Sequence, residues 1–254
     1  MTRDAGSRSS NPTTESWPGT AHGYHAFTIG VFMEELVRRL TGASLQRLYR
    51  EEIAEPRGVD FFLGLPASEL CRWQEIQPRR PTVEQLEAAP APVLEPDGLA
   101  ALAVTLAGFD GGAHDLVNNA AVRDGGQAAA GGVGSARGLA RAYAACITDV
   151  AGPRLLSADT VTEMAQQQVW GRDLVLNRTN AFAIAFMKPD PLAPWGSHLA
   201  FGHDGAGGAL GYADPMYDLG FGYVTQPMYY PAGVYHRAIA LSQLVRRTIA
   251  SLAR

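Results

Sequence analysis

Apolar residues recur at helical spacing in two long stretches, one near each end of the chain. The first stretch predicts a helix over about 26–40 that Gly42 ends, and the second predicts a helix from about residue 233 onward. Ser44, Ser135 and Ser157 each precede a shorter apolar pattern and are predicted to cap three further helices. The residues expected on the buried faces of the two long helices are Ile29, Met33, Leu36, Val37 and Leu40 in the first and Ala238, Leu241, Val245, Ile249 and Leu252 in the second.

The apolar period changes to two in the last third of the chain. Phe182, Ile184 and Phe186 alternate with alanines, which is typical of a strand. Three more short strands are predicted between residues 201 and 225. Because helices come first, an antiparallel meander follows and a helix closes the chain, the pattern predicts an α+β fold.

Three stretches lack a regular apolar period. Residues 77–97 contain five prolines and are predicted to form a surface excursion within one domain rather than a linker between two. Residues 108–134 are rich in glycine and are predicted to be irregular. Residues 1–16 hold small and polar residues without an apolar core and are predicted to be a disordered leader, which leaves 17–254 as the folded unit.

The charge balance and the lengths of the apolar runs exclude several classes of protein. A formal net charge of -4 leaves no basic stripe for a phosphate backbone, so no nucleic-acid partner is expected. No apolar run approaches the roughly 18 residues that a membrane span needs. The first 20 residues also lack the apolar core of a secretory signal, so a cytoplasmic location is expected by default.

Motifs for metal, cofactor and nucleophile chemistry are absent or incomplete. The six histidines do not show metal-ligand spacing, so no metal site is expected. Residues 115–121 (D-L-V-N-N-A-A) resemble a segment of short-chain dehydrogenases, but Ile184 stands where their Y-x-x-x-K motif would need a tyrosine before Lys188. No cofactor is therefore expected. The chain also has no G-x-S-x-G nucleophile elbow.

Short segments toward each end of the chain, with one further segment between them, occur in an order and at a separation that are specific together. These segments are 17–20 (W-P-G-T), 23–26 (G-Y-H-A), 34–37 (E-E-L-V), 41–45 (T-G-A-S-L), 132–139 (G-V-G-S-A-R-G-L), 201–208 (F-G-H-D-G-A-G-G), 210–215 (L-G-Y-A-D-P) and 219–224 (L-G-F-G-Y-V). In them the chain resembles the β-lactamase-related serine hydrolases, which include class C β-lactamases, D-Ala-D-Ala carboxypeptidases and β-lactamase-like esterases. The esterase branch is the most similar.

This resemblance implies a β-lactamase/transpeptidase-like fold, a small-molecule ester or amide substrate, and roles for five residues. Tyr24 would relay the proton of the family's serine, and His203 would stand where the family has the K-T-G lysine. The Ala206 N–H would be an oxyanion donor, Gly205 would let substrate approach the strand edge, and His25 would lie in the substrate-binding part. Two simpler interpretations remain open, in which Tyr24 is an interfacial ring and His203 is a polar residue on an edge strand.

The chain departs from the family's pattern at the nucleophile. The family's S-x-x-K motif lies upstream of the tyrosine, but Lys188 is the only lysine among 21 basic residues, and Ala185 stands three positions before it. We therefore expect residues 17–254 to form a partial domain that lacks the N-terminal strands and the nucleophile helix. Because loss of the nucleophile alone costs several orders of magnitude in rate, the chain as given is expected to be inactive.

Two consequences follow for partners and function. Absent strands would leave an unpaired apolar sheet edge near 221–224, through which a partner or a second copy of the chain could associate. Two functions of different classes remain open: the C-terminal portion of an esterase-like serine hydrolase, and a non-catalytic binding protein that keeps the cleft around Tyr24 and His203.

Overall fold

The computed structural model describes residues 19–89, 95, 98–104, 109, 111–233 and 236–252. The predicted leader over 1–16 and the first two residues of the W-P-G-T segment lie outside the described residues. So do three of the five prolines in the predicted surface excursion.

Serine side chains begin three of the helices, as the sequence predicts. The hydroxyl oxygens of Ser44, Ser135 and Ser157 accept hydrogen bonds from the backbone N–H three residues later, at 3.1, 3.0 and 3.1 Å. Gly42 ends the first helix in the left-handed conformation, with φ of 73°. The helices are α1 (Thr28–Thr41), α2 (Leu45–Tyr49), α3 (Glu55–Arg57), α4 (Val83–Ala88), α5 (Leu99–Val104), α6 (Ala113–Asn118), α7 (Ala120–Gly125), α8 (Ala136–Ile147), α9 (Ala158–Ala165) and α10 (His236–Leu252), with a π-helical turn at Arg50–Ala54 and a 3-10 helix at Ala67–Arg72.

The described strands are short and pair antiparallel. The longest run has the order β5-β6-β7, with His203 opposite Gly211 and Tyr212 opposite Phe221. Met187 bridges Phe182 at the end of β4 to Gly202 in β5, which brings the β3–β4 hairpin beside this run. The strands are β1 (Phe61–Leu63), β2 (Gly132–Gly134), β3 (Val169–Arg172), β4 (Thr179–Phe182), β5 (Phe201–Asp204), β6 (Leu210–Asp214) and β7 (Leu219–Tyr223).

Helix α8 packs directly on a glycine-lined face of β6 and β7. A Cβ atom at Gly220 would lie 2.4 Å from the carbonyl oxygen of Ala140, and one at Gly222 would lie 2.2 Å from that of Ala136. At Gly211 it would lie 2.5 Å from the Tyr143 ring. Since real Cβ atoms do not approach backbone this closely, only glycine lets the helix and the sheet meet here.

The opposite face of the sheet carries large side chains that α10 covers. Tyr212 is fully buried and stacks on Phe221 at 5.1 Å. The Trp195 ring lies 5.1 Å away at a tilt of 43°, and the Tyr212 hydroxyl lies 2.7 Å from that of Ser242 in α10. Ala238 of α10 is fully buried against the same cluster. The sheet is therefore a middle layer between α8 and α10.

The predicted buried faces of the two long helices are correct only in part, since Ala238 is fully buried but several of the larger apolar residues are not. Leu36 and Leu40 of α1 are exposed by 47% and 75%, and the buried residue of that helix is Gly30, which lies against the backbone at Ala129. In α10 the buried residues are Ala238 and Ser242, whereas Leu241 and Leu252 are exposed by 45% and 82%. Periodicity finds an apolar stripe, but small residues on the neighbouring face let these helices approach the rest of the fold.

Two predictions about strands and loops also need correction. The alternation of Phe182, Ile184 and Phe186 does not form one strand, because β4 ends at Phe182 and Ala185 takes a positive φ of 61° that turns the chain. The glycine-rich stretch predicted to be irregular contains α6 and α7. The prediction failed there because short helices capped by Gly112 and Asn119 have little apolar period.

Strand β7 pairs with β6 along one side, and in the part of the chain that the structure describes no strand pairs with its other side. Val224, just beyond the strand, is exposed by 44%. An open apolar edge therefore exists among these residues, and its pairing with a partner stays a prediction.

Replacing Gly220 by alanine is expected to destabilise the protein by about 1–3 kcal/mol, because the added methyl group meets the α8 backbone, which cannot move alone. Urea unfolding followed by circular dichroism measures the change. Gly125→Ala is the matched control: no atom lies within 4 Å of the position that its Cβ would take, so this variant should be neutral or slightly stabilised. Equal stabilities for the two variants would contradict the close packing.

Candidate functional site

The segment that carries Tyr24 is extended and lies on the turn between β3 and β4. The Tyr24 backbone N–H donates to both carboxylate oxygens of Asp173, at 3.1 and 3.0 Å. The Leu174 N–H donates to the carbonyl oxygen of His22 at 3.0 Å. His22 and His25 therefore do not lie on a helix, and α1 begins only at Thr28.

Asp173 is a fully buried carboxylate that is surrounded by N–H donors. Besides the Tyr24 N–H, it accepts from the backbone of Val175 at 2.8 Å and Leu176 at 2.9 Å, and from the side-chain amide of Asn180 at 3.0 Å. Burial alone raises the pKa of this carboxyl, but the hydrogen bonds outweigh burial and hold the pKa below its ordinary value. Asp173 thus stays ionised and fixes the Tyr24 segment to the turn.

Tyr24 and His203, far apart in sequence, lie side by side. Their ring centroids are 6.0 Å apart at 42°, and Tyr24 also stacks on Phe182 at 6.4 Å and 19°. His22 packs edge-on against Phe182 at 6.3 Å, and its Nε2 lies 2.7 Å from the side-chain oxygen of Asn180. The aromatic contacts and the Asp173 anchor together hold Tyr24 against β5.

His203 is half-buried on β5, and the backbone of the next residue, Asp204, orients its ring. Its Nδ1 lies 2.6 Å from the carbonyl oxygen of Asp204. Because a carbonyl oxygen only accepts, Nδ1 carries the proton, and in the neutral ring Nε2 is then the acceptor. A histidine held in this way differs from a lysine at the same place, which could only donate.

The turn after β5 contains Gly205 and Ala206, the two residues predicted to face the oxyanion and the substrate. Gly205 donates its N–H to the carbonyl oxygen of Ala209 at 2.9 Å, while Ala206 is exposed and its carbonyl oxygen accepts from Arg79 at 2.5 Å. No partner for the Ala206 N–H is found among the described residues. His25 is exposed, and among the described residues it makes no hydrogen bond or ring contact with the residues that surround Tyr24. The structure thus groups Tyr24 with His203 and leaves His25 at the surface.

The surroundings of Tyr24 keep its hydroxyl protonated. Burial raises the pKa of this phenol, and the negative charges of Asp204 and Asp173 raise it further. Lys188, the chain's only lysine, is buried elsewhere and donates from Nζ to the carbonyl oxygen of His198 at 2.9 Å. A tyrosine base needs a neighbouring cation to lower its pKa, and none of the groups that shift the pKa of Tyr24 is a cation.

Among the described residues, no group of three or more His, Cys, Asp or Glu side chains lies close enough to hold a metal ion. None of the helices that the structure describes is long and apolar enough to cross a membrane.

Comparison with known proteins decides the family. The family model described as Beta-lactamase matches residues 4–244. The chain belongs to the beta-lactamase family. Its helices and antiparallel strands form the β-lactamase/transpeptidase-like fold that the resemblance implied, and its similar proteins include esterases.

Three individual proteins place the chain within that family. It is 29% identical over 242 residues to the esterase/beta-lactamase LipL of Mycobacterium tuberculosis, covering 84% of this chain and 52% of that protein. It is similar to the structure of EstA from Arthrobacter nitroguajacolicus Rue61a, with a TM-score of 0.84, 43% identity, 94% of this chain and 63% of that one. A family VIII carboxylesterase structure gives a TM-score of 0.70 and 29% identity, over 90% of this chain and 59% of that one. The chain spans about half the length of the curated relative it matches.

Tyr24 is held in place by Asp173, Asn180 and Phe182, and the sequence alone did not predict this role for any of them. Phe182 was assigned only to a strand. The turn at Asp173 could have been predicted locally. An aspartate side chain often accepts hydrogen bonds from the backbone N–H groups two and three residues later and so stabilises a turn, as Asp173 does here. The bond to Tyr24 had no such signal, since it joins residues 149 positions apart.

Asp173→Asn is expected to cost about 1.5–3 kcal/mol of stability at pH 7, because its amide N–H group would face the N–H groups of Tyr24 and Asn180. The pKa of Asp173 is lower folded than unfolded, so its stabilising effect is full above the unfolded value of about 4 and is lost as the pH falls through the folded value.

Urea unfolding between pH 2.5 and 7 should therefore show that the difference in free energy of unfolding between wild type and Asp173→Asn becomes smaller toward low pH. The exposed Asp159→Asn variant in α9 serves as the control and should follow wild type throughout. A gap that is independent of pH would contradict the role given to the Asp173 charge.

Tyr24 is expected to ionise only above about pH 10, because burial and two carboxylates oppose its deprotonation. Absorbance at 295 nm, recorded against pH for wild type and Tyr24→Phe, isolates its titration by difference. Asp204→Asn removes one of the two negative charges and should move that titration to lower pH. A Tyr24 component that ionises well below pH 10 in wild type would contradict this expectation.

Proposed function

We propose that this chain supplies the Tyr24–His203 side of the acyl-transfer site of a beta-lactamase-family serine esterase that acts on small-molecule esters or amides. The observation that carries the proposal is the 6.0 Å approach of the Tyr24 and His203 rings at the end of β5. The esterase names of similar proteins support the reaction class. Neither simpler interpretation explains why a buried carboxylate anchors the Tyr24 backbone beside His203.

Each group in this proposal has a defined chemical task. Acyl transfer needs a nucleophile, a base within hydrogen-bond reach and donors that face the developing oxyanion. Tyr24 would pass the proton between the nucleophile and the leaving group, with His203 beside it as a titratable neighbour. The exposed Ala206 N–H would be one oxyanion donor, and Gly205 would leave the strand edge open to substrate.

The serine nucleophile and the cation that activates Tyr24 must both come from an S-x-x-K motif, which the sequence given does not contain. We propose that such a motif precedes these residues in the complete protein. Without it, the raised pKa of Tyr24 leaves the phenol protonated at neutral pH. The chain as given is therefore proposed to form no acyl-serine intermediate.

The purified chain is expected to show no stoichiometric labelling by a fluorophosphonate probe and no hydrolysis of p-nitrophenyl acetate above buffer. Intact-mass spectrometry measures the labelling, and a known serine esterase labelled in parallel is the control. One probe molecule bound per chain at a serine would overturn the proposal that this chain lacks a working nucleophile.

The hydrolase part of the proposal has a separate test in the DNA that precedes the codon for Met1. Read in frame, it is expected to encode an S-x-x-K motif on an apolar helix pattern. A stop codon directly upstream would contradict the proposed esterase and would favour a protein that binds ligands without catalysis.

A further inference from the structure

A cavity of about 260 Å³ lies beside the candidate site and is not used by the proposed chemistry. It is partly open to solvent and is bordered by the residue before β4, the segment after Asp190, residues 231–233 and the first turns of α10. Among the residues that line it are Arg178, Leu192, Pro231, Gly233, His236 and Ile239.

Arg178 is among the residues that line this cavity, and its guanidinium has no acceptor among the described residues. Its Nε is buried without a hydrogen bond, and no hydrogen bond or ion pair to its side chain occurs in the part of the chain that the structure describes. Three other arginines there also have an unbonded buried Nε, but Arg57, Arg141 and Arg246 each donate to a carbonyl oxygen through a terminal nitrogen. Arg178 is thus distinguished from them by lacking any acceptor.

The Nε of Arg178 is buried without an acceptor, and an unsatisfied buried donor costs free energy. The carbonyl oxygen of Arg178 accepts from the Asp173 N–H at 2.9 Å, on the same residue that anchors Tyr24. The guanidinium offers a planar fork of donors that matches a carboxylate. What this corner of the cavity lacks is therefore an anionic acceptor.

The rest of the lining favours a ligand with a compact apolar body. Leu192, Pro231 and Ile239 are apolar, and the His236 ring packs against Tyr229, whose hydroxyl lies 3.1 Å from its Nδ1. Apolar walls with few polar groups are typical of small-molecule sites. A cavity of this volume suits a ligand about the size of a benzoate ion.

The cavity adjoins both halves of the candidate site. On one side, Arg178 is bonded through its backbone to Asp173, which holds Tyr24. On the other side, a Cβ atom at Gly233 would lie 3.3 Å from a carboxylate oxygen of Asp204, the residue next to His203. Because Asp204 repels a second negative charge, a monoanion would direct its carboxylate to Arg178 and its uncharged end toward the Asp204 side.

We propose that this cavity binds the carboxylate of a small organic acid through Arg178. The substrate class then follows as esters that carry one carboxylate on a compact apolar body; this second step rests on the proposed function, whereas the binding itself does not. Charge-assisted hydrogen bonds of a guanidinium to a carboxylate contribute enough for an affinity effect of about tenfold to a hundredfold.

Binding of benzoate to the full chain tests the proposal without any turnover. Titrations followed by amide chemical shifts are expected to give saturable shifts at Ala193 and Gly233, and benzamide, its neutral analogue, is expected to bind at least tenfold more weakly. Arg178→Gln should weaken benzoate binding by about tenfold to a hundredfold. Arg172→Gln, on the same hairpin but exposed and bonded to Asn177, is the matched control and should bind as wild type does.

Equal affinity for benzoate and benzamide, or unchanged benzoate affinity in Arg178→Gln, would overturn the proposal. If Arg178→Gln does not fold, the benzoate and benzamide comparison on wild type still decides it. If benzoate binds but a stop codon lies directly upstream, the anion-binding proposal stands and the proposed esterase function fails. If an upstream S-x-x-K motif is found but benzoate does not bind, the proposed function stands and the anion-binding proposal fails.

Discussion

The close approach of α8 to the glycine face of β6 and β7 is the constraint on which the rest of the structure depends. Gly220 and Gly222 place the sheet backbone against the α8 backbone, and Gly211 leaves room for the Tyr143 ring, so a side chain at any of the three would disturb this register. The same register sends Tyr212 and Phe221 to the opposite face, where α10 covers them. It also fixes β5 beside β6, and therefore fixes the place of His203 relative to Gly211.

Two negative charges shape the chemistry of the site built on this frame. Asp173 holds the Tyr24 backbone, and Asp204 follows His203 on β5, so both raise the pKa of the phenol that they surround. The residues around Tyr24 therefore place its ring and keep its hydroxyl protonated, and none of the groups that shift the pKa of Tyr24 is a cation.

Local signals predicted the helix starts well, because a serine hydroxyl and an N–H three residues later form a cap without help from the rest of the fold. The buried residues of α1 and α10 were predicted only in part: Ala238 lies on the predicted face, whereas Gly30 and Ser242 are buried by neighbours that the sequence does not reveal. The grouping of Tyr24 with His203 followed from family resemblance rather than periodicity. The roles of Asp173 and Arg178 could not be predicted from the sequence. Asp173 acts through a hydrogen bond to a distant residue, and Arg178 is distinguished by a buried Nε without an acceptor.

The bond between Tyr24 and Asp173 has a consequence for the order in which the molecule assembles. It spans 149 residues, so during synthesis the tyrosine waits about 10–30 s before its anchor is made. The helices capped by serines close within a few residues and need no such delay. Tyr24 therefore cannot be anchored until the chain through Asp173 has been made, and a nascent chain that stalls earlier leaves the tyrosine without its carboxylate partner.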